Sequence, residues 1–200
     1  FVVARLRALA SGSPRRSNDE SRIGTGGDWQ NGCDDDLIPA AVLVPLLVLD
    51  GDLTVLLTRR TEQLDRHAGQ ISFPGGRADP GDGSALQTAL RETEEEIGLH
   101  RSLIKVIGEL DQYIVGTGYL VNPIIGMIEP PFNLTPHTGE VAEIFEVPLE
   151  YRGNPKNHGR AEREFNGVRR HYFYIDYQNY HIWGATAGML RNLSERLGQL

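Results

Sequence analysis

Residues 91–99 read R-E-T-E-E-E-I-G-L, and this stretch limits the possible architecture more than any other. Glu92, Glu95 and Glu96 stand three and four positions apart. On a helix that spacing puts three carboxylates on one face, about 5–6 Å apart at Cβ. Carboxylates grouped this way repel one another unless a cation sits between them. Upstream, Phe73-Pro74-Gly75-Gly76 supplies a flexible backbone corner. A glycine turn followed by an acid-faced helix is the layout of a hard-metal site that holds a phosphate substrate.

The helix itself is well marked. Ser84 with Gln87 fits a capping box, and Gly98 stands where a C-terminal glycine cap belongs. Ala85, Leu86, Ala89, Leu90 and Ile97 supply an apolar face opposite the acids. Around it, Ile38 to Val48 reads as a buried strand despite Pro39 and Pro45. Asp50-Gly51-Asp52 is a turn, and Leu53 to Thr58 is the paired strand. Leu103 to Val115 and Tyr119 to Ile128 read as further strands. Val141 to Leu149 is acidic and apolar, with Pro148 as a stop. Glu164 to Tyr174 reads as a hairpin turning at Asn166-Gly167, and Trp183 to Leu197 as a final amphipathic helix. The pattern predicts an α/β fold, a mixed sheet with helices packed against it.

Two hundred residues suit one domain with small additions. Residues 37–200 are read as that domain and 1–36 as an N-terminal addition. Val2, Val3, Leu6 and Leu9 predict a short amphipathic helix there. Ser11 to Asp36 is rich in Gly, Ser, Asn, Asp and Arg and reads as a mobile polar loop.

The formal charge of −7 argues against wholesale nucleic-acid binding, which favours a basic face. It also means that an anionic substrate needs local help from a cation or from arginines. The one cysteine, Cys33, excludes an internal disulfide, suits a reducing compartment and reads as an incidental thiol. The longest apolar run, Leu37 to Leu49, is too short to cross a bilayer. No signal-peptide pattern is seen, and the chain begins at Phe1, so its natural N-terminus stays open. A cytoplasmic protein is expected, with no membrane and no nucleic-acid partner, and either monomer or homodimer is open.

Three glutamates offer oxygen-only ligation, which selects Mg²⁺ or Mn²⁺ over zinc. A metal held there neutralises a diphosphate and lowers the pKa of a bound water. Arg91 pairs with a glutamate and fixes its rotamer. Taken alone, E-T-E-E-E reads as solvated helix surface; the preceding glycine turn and the internal arginine favour a site.

These residues resemble the Nudix box: G, five residues, E, seven residues, then R-E-U-x-E-E-x-G-U, with U aliphatic. Gly76, Arg91-Glu92 and Glu95-Glu96-x-Gly98-Leu99 match it, with Thr93 replacing an aliphatic. Asp82 stands where Glu is expected, and eight residues separate it from Arg91. The extra residue is usual in the coenzyme A diphosphatase branch. That branch also carries L-L-T-x-R-[S/A]-x3-R-x3-G-x3-F-P-G-G. Leu56-Leu57-Thr58, Arg60, Gly69 and Phe73-Pro74-Gly75-Gly76 fall in its register, and His67-Ala68-Gly69-Gln70 also looks like the branch. Thr61 replaces Ser/Ala, and Asp65 replaces Arg, with Arg66 one place later. The matching motifs span Leu56 to Leu99, about a fifth of the chain.

The resemblance implies a Nudix fold, an α/β/α sandwich around a mixed β-sheet. It implies metal-dependent hydrolysis of a nucleoside diphosphate linked to another moiety. Glu92, Glu95, Glu96 and the carbonyl of Gly75 would hold Mg²⁺ or Mn²⁺. Arg91 would orient Glu92. One of the box glutamates, Glu95 foremost, or the later-loop Glu140 would activate the water. In the coenzyme A branch the products are phosphopantetheine and adenosine 3′,5′-bisphosphate. Such a substrate calls for gathered cations, which Arg59, Arg60, Arg66 and Arg77 offer, with His67 and Gln70 beside them. His67 reads equally as a phosphate donor and as a brace for its loop. Another nucleoside diphosphate derivative, such as ADP-ribose, is the alternative substrate. A silent nucleotide-binding module is disfavoured because all three glutamates remain.

Other signals are weaker. Gly116-Thr117-Gly118 lacks the third glycine of a nucleotide fingerprint and reads as a turn. His158, His171 and His181 lack metal-ligand spacing and read as structural or surface residues. Arg169-Arg170-His171 with Tyr172, Phe173 and Tyr174 follows hairpin alternation rather than nucleic-acid contact. Trp183 reads as core.

Overall fold

A computed structural model describes residues 37–49, 52–64, 67–165 and 168–198. The readings placed on 1–36, Cys33, the Asp50-Gly51 turn corner, Asp65, Arg66 and the Asn166-Gly167 turn lie outside them.

A mixed sheet forms the centre. Its path runs β3 (Ile71–Ser72), β2 (Asp52–Arg60), β1 (Ile38–Leu49), β7 (Tyr119–Ile128), β5 (Lys105–Glu109). β4 (Gly75–Arg77) pairs with β1, β6 (Tyr113–Val115) with β7, and β8 (Val141–Pro148) with β2. β1 and β7 run parallel over Ile38 to Leu47; the other pairs are antiparallel. A second, three-stranded sheet has the order β11 (Tyr180–Trp183), β10 (Val168–Tyr177), β9 (His158–Phe165). Phe165 lies opposite Val168, as a hairpin there requires.

Strand alternation sorts β1 between two cores. Ala40, Val44 and Leu46 face one side, with Ile175, Ile182 and Leu190. Ala41, Leu43 and Leu47 face the other, with Ala89 and Ile97 of α1 (Ala85–Ile97). The first core is closed by α3 (Gly184–Arg196) and the three-stranded sheet, beside the short α2 (Leu149–Gly153). Helix, mixed sheet, and helix with small sheet are the expected α/β/α layers.

Pro45 is tolerated within β1 for a geometric reason. Leu43 donates its N–H to Pro74, so by alternation the Pro45 nitrogen faces the same edge. There β1 has left β4, paired through Val42, and meets β2 only at Leu46. A missing donor costs no ladder bond at that point. The same divergence of β1 and β2 admits residues 71–77: β3 pairs with β2 and β4 with β1. The glycine corner is thereby held within the sheet, under α1.

Two expectations need correction. Leu103 to Val115 is not one strand. It is a 3-10 turn (Arg101–Leu103), then β5 and β6, because Leu110 turns into the core and Asp111 is tied to Asn192 of α3. Trp183 is half-buried rather than core, edge-on to Tyr172 at the start of α3. Gly116-Thr117-Gly118 is the turn between β6 and β7, and His171 and His181 pair with Glu162 and Asp176.

Candidate active site

Helix α1 has the caps its sequence foretells. The Ser84 hydroxyl accepts the Gln87 N–H at 3.3 Å. Gln87 reaches back one residue further than a capping box requires, to the Gly83 N–H at 2.6 Å. Gly98 ends the helix at φ 68°, a left-handed conformation suited to glycine.

The acids do not stand on a solvent face opposite the apolar one, as the spacing suggested. Thr88, Ala89, Thr93, Glu96 and Ile97 are buried, while Ala85, Leu86 and Leu90 are only partly so. Glu96 and Glu92 tilt toward the glycine corner and Glu95 toward solvent. The Thr93 hydroxyl is satisfied by the Ala89 carbonyl at 2.6 Å, which lets a polar residue stand where the box has an aliphatic.

The Glu96 side chain is 4% exposed. Its Oε2 accepts the Gly75 N–H at 3.1 Å, and its Oε1 lies 3.4 Å from Arg60 Nη1. Burial pushes the carboxyl up to about 7, against the Gly75 amide and Arg60, with Glu92 and Glu140 adding repulsion. Glu92 is half-buried, and its carboxylate covers Gly76. A Cβ at Gly76 would come within 2.5 Å of it, so glycine there makes room for the acid. Desolvation raises the Glu92 pKa; Arg91 opposes this, while Glu95 and Glu140 add to it.

Arg91 ties the acids together. Its Nη1 donates to Glu92 at 3.0 Å and to Glu95 at 3.1 Å. Its other edge forks onto Asp82, Nε at 3.1 Å and Nη2 at 2.8 Å, and also reaches the Arg77 carbonyl. Asp82 further accepts the Asp79 N–H and the Thr88 hydroxyl. The Arg91 guanidinium holds the Asp82 carboxyl well below the usual carboxylate range. Both departures in the first half of the box, a shorter acid and one more residue before Arg91, meet in this fork.

Glu140 belongs to a turn clipped onto the end of α1. Thr135 and His137 donate their N–H groups to the carbonyls of Ile97 and Glu96, both at 2.8 Å. These are carbonyls that a helix end leaves unsatisfied. Thr61 fixes the turn from the other side: its N–H donates to the Glu140 carbonyl and its hydroxyl to that of Gly139. Glu140 is thereby held close enough to raise both Glu92 and Glu96. Sequence reasoning had no signal for the roles of Thr61 and His137.

The substrate-facing set divides. Arg60 lies beside Glu96. His67 and Gln70 bond to each other at 2.8 Å, and Arg77 is exposed next to the Arg91 fork. Arg59 is engaged elsewhere: it holds Glu143 across the β2–β8 ladder at 3.0 Å. The Tyr180 hydroxyl donates to the same carboxylate at 2.7 Å, which raises the Tyr180 pKa.

Among the described residues, no three acidic, histidine or cysteine side chains close around one point tightly enough to enclose an ion. Glu92 and Glu95 are turned onto Arg91, and Glu96 onto the Gly75 amide. The donor set nevertheless fits a hard divalent cation. It is all oxygen, and burial, with repulsion among the acids, raises the pKa of Glu92 and Glu96, a cost that a cation would relieve.

A NUDIX domain model matches residues 38–180. The chain belongs to the Nudix family. It is 40% identical over 158 residues to the uncharacterized Nudix hydrolase NudL of Photorhabdus laumondii, covering 79% of this chain and 84% of that one. To the protein of the same name from Yersinia pestis it is 38% identical over 158 residues, 79% of each chain. Among solved structures, a MutT protein from Methanosarcina mazei aligns with TM-score 0.49 and 20% identity, over 84% of this chain and 97% of that one. The Nudix domain gives this chain the class of a hydrolase of nucleoside diphosphate derivatives, and such enzymes generally need divalent metal ions. No helix among the described residues is long and apolar enough to cross a membrane.

Proposed function

We propose that this Nudix hydrolase splits the diphosphate of coenzyme A or its thioesters with Mg²⁺ or Mn²⁺. Water adds to one phosphorus, the P–O–P bond breaks, and phosphopantetheine and adenosine 3′,5′-bisphosphate leave. The observation that carries the reading is the register of the upstream signature, from Leu56-Leu57-Thr58 and Arg60 through Gly69 to Phe73-Pro74-Gly75-Gly76. Those residues form β2, its outgoing loop and the glycine corner under α1.

Glu92, Glu95, Glu96 and the Gly75 carbonyl would hold the metal, which when bound supplies charge neutralisation and a more acidic water. Arg91 orients Glu92 and Glu95. Glu140, clamped by Thr61 and the end of α1, is the candidate general base, with Glu95 the other. Arg60, Arg66, His67, Gln70 and Arg77 would meet the phosphates, and Arg59 joins them only by leaving Glu143. The protein's partner is then a small nucleotide, and one cysteine among 200 residues suits a cytoplasmic setting.

Asp65 favours a second reading, another nucleoside diphosphate derivative such as ADP-ribose, because it puts an anion where the branch signature has an arginine. Hydrolysis of coenzyme A, ADP-ribose and dinucleoside polyphosphates with Mg²⁺ or Mn²⁺ separates the two. The expected result is the highest kcat/KM on coenzyme A. A large preference for ADP-ribose would sink the branch assignment.

A further inference from the structure

Arg60 is held poorly for a group so well covered. Its side chain is 25% exposed, and its contact with Glu96 is long, 3.4 Å from Nη1 to Oε1. Its Nε is buried with no hydrogen-bond partner among the described residues. Arg91 shows the contrast: both edges of its guanidinium are filled by carboxylates and a carbonyl at 2.8–3.2 Å. A buried guanidinium N–H without an acceptor is costly, and such a group marks a place where a further acceptor belongs.

The backbone of Arg60 is fixed, so the freedom lies in the side chain. Its N–H donates to the Gln70 carbonyl at 2.9 Å at the end of β2, where the register shifts between Arg59 and Arg60. The guanidinium therefore stands at the root of the 61–70 loop, next to the acid cradle. Among the described residues the anion it touches is Glu96, proposed above as a ligand of a divalent cation. A metal ion and a guanidinium on one carboxylate repel each other.

We propose that Arg60 changes partner. In the metal-free protein it pairs with Glu96; when a divalent cation takes that carboxylate, Arg60 turns its Nε and Nη groups to two oxygens of the substrate's diphosphate. Its planar fork suits such an oxygen pair. Metal and substrate binding are then coupled through one side chain: the metal releases the cation that the diphosphate needs. The inference rests on Glu96 being a metal ligand, and it holds for any nucleoside diphosphate derivative, coenzyme A or not.

The test is Arg60→Gln, with Arg60→Lys beside it. Mn²⁺ affinity is measured by calorimetry on the metal-free protein at pH 8.5, and α,β-methylene-ADP affinity on the Mn²⁺-loaded protein. Arg60→Gln should bind Mn²⁺ about three- to tenfold more tightly, because a competing cation is gone, and α,β-methylene-ADP at least about tenfold more weakly. Arg60→Lys keeps the charge without the fork. Its Mn²⁺ affinity should stay within about twofold of wild type, while its α,β-methylene-ADP affinity still falls. Opposite signs in the two measurements are the signature, since a merely structural arginine would weaken both. Mn²⁺ affinity unchanged or weakened in Arg60→Gln, or α,β-methylene-ADP affinity unchanged, overturns the exchange. If Arg60→Gln does not fold, Arg60→Lys decides the matter: Mn²⁺ affinity within about twofold of wild type with weakened α,β-methylene-ADP affinity supports the exchange, and weakened Mn²⁺ affinity or unchanged α,β-methylene-ADP affinity overturns it. Wild-type hydrolysis of coenzyme A is assayed separately, so failure of the substrate reading is distinguishable from failure of the exchange.

Discussion

Glu95→Gln and Glu96→Gln should each lower kcat for diphosphate hydrolysis on the order of a thousandfold or more. Each exchange keeps shape and removes one negative charge from the cradle. The pair is informative because the two residues sit in different surroundings. Glu95 is 59% exposed and, among the described residues, pairs only with Arg91, so its replacement changes stability little. Glu96 is buried between Gly75 and Arg60. A loss common to both variants, with folding verified by circular dichroism and melting, comes from lost chemistry and not from unfolding. Full activity in both variants would show that the acid face is not where the reaction is run.

In the metal-free protein, Glu96→Gln should raise stability while it abolishes activity. The Glu96 carboxyl is pushed from the usual 4.5 to about 7, chiefly by burial. That difference corresponds to about 3 kcal/mol between its two protonation states. Glu96 binds its proton more tightly folded than unfolded. The stability tied to this group is therefore fully present below pH 4.5 and is lost as the pH rises through about 7. At pH 8.5 the glutamine variant, which has no charge to bury, should be more stable by about 1–3 kcal/mol, a rise in Tm of roughly 3–10 °C. The gap should narrow as the pH is lowered from 7 to 5, because wild type regains its proton. It should also narrow with Mn²⁺, which stabilises only a protein that binds it. A gap of the opposite sign at pH 8.5, or one that ignores pH, would contradict the burial of an ionised Glu96.

Local signals carried much of the fold. Ser84 and Gly98 announced both ends of α1, and the apolar runs gave β1 and β7 nearly to the residue, since period and capping are local properties. Leu103 to Val115 failed for the complementary reason. Its strand pattern is continuous in sequence, but the chain bends where Asp111 meets Asn192, 81 residues away. The inward tilt of Glu96 was equally hidden. Nothing near Glu96 in sequence shows that a sheet splayed around residues 71–77 offers it the Gly75 amide. Arg59 was grouped with the substrate cations by proximity in sequence, yet the β2–β8 pairing sets it opposite Glu143, 84 residues on. Asp82 looked like a flaw in the box and is the anchor that holds Arg91. Motif register thus pointed to the candidate site, and long-range strand pairing decided which way its side chains face.

The most direct measurement is Mn²⁺ binding, followed by electron paramagnetic resonance, in wild type, Glu92→Gln and Glu96→Gln. Saturable binding in wild type, weakened at least about tenfold in both variants with their fold intact, is the predicted result. Mn²⁺ affinity in both variants equal to wild type would mean that the acid-faced helix is not the metal site.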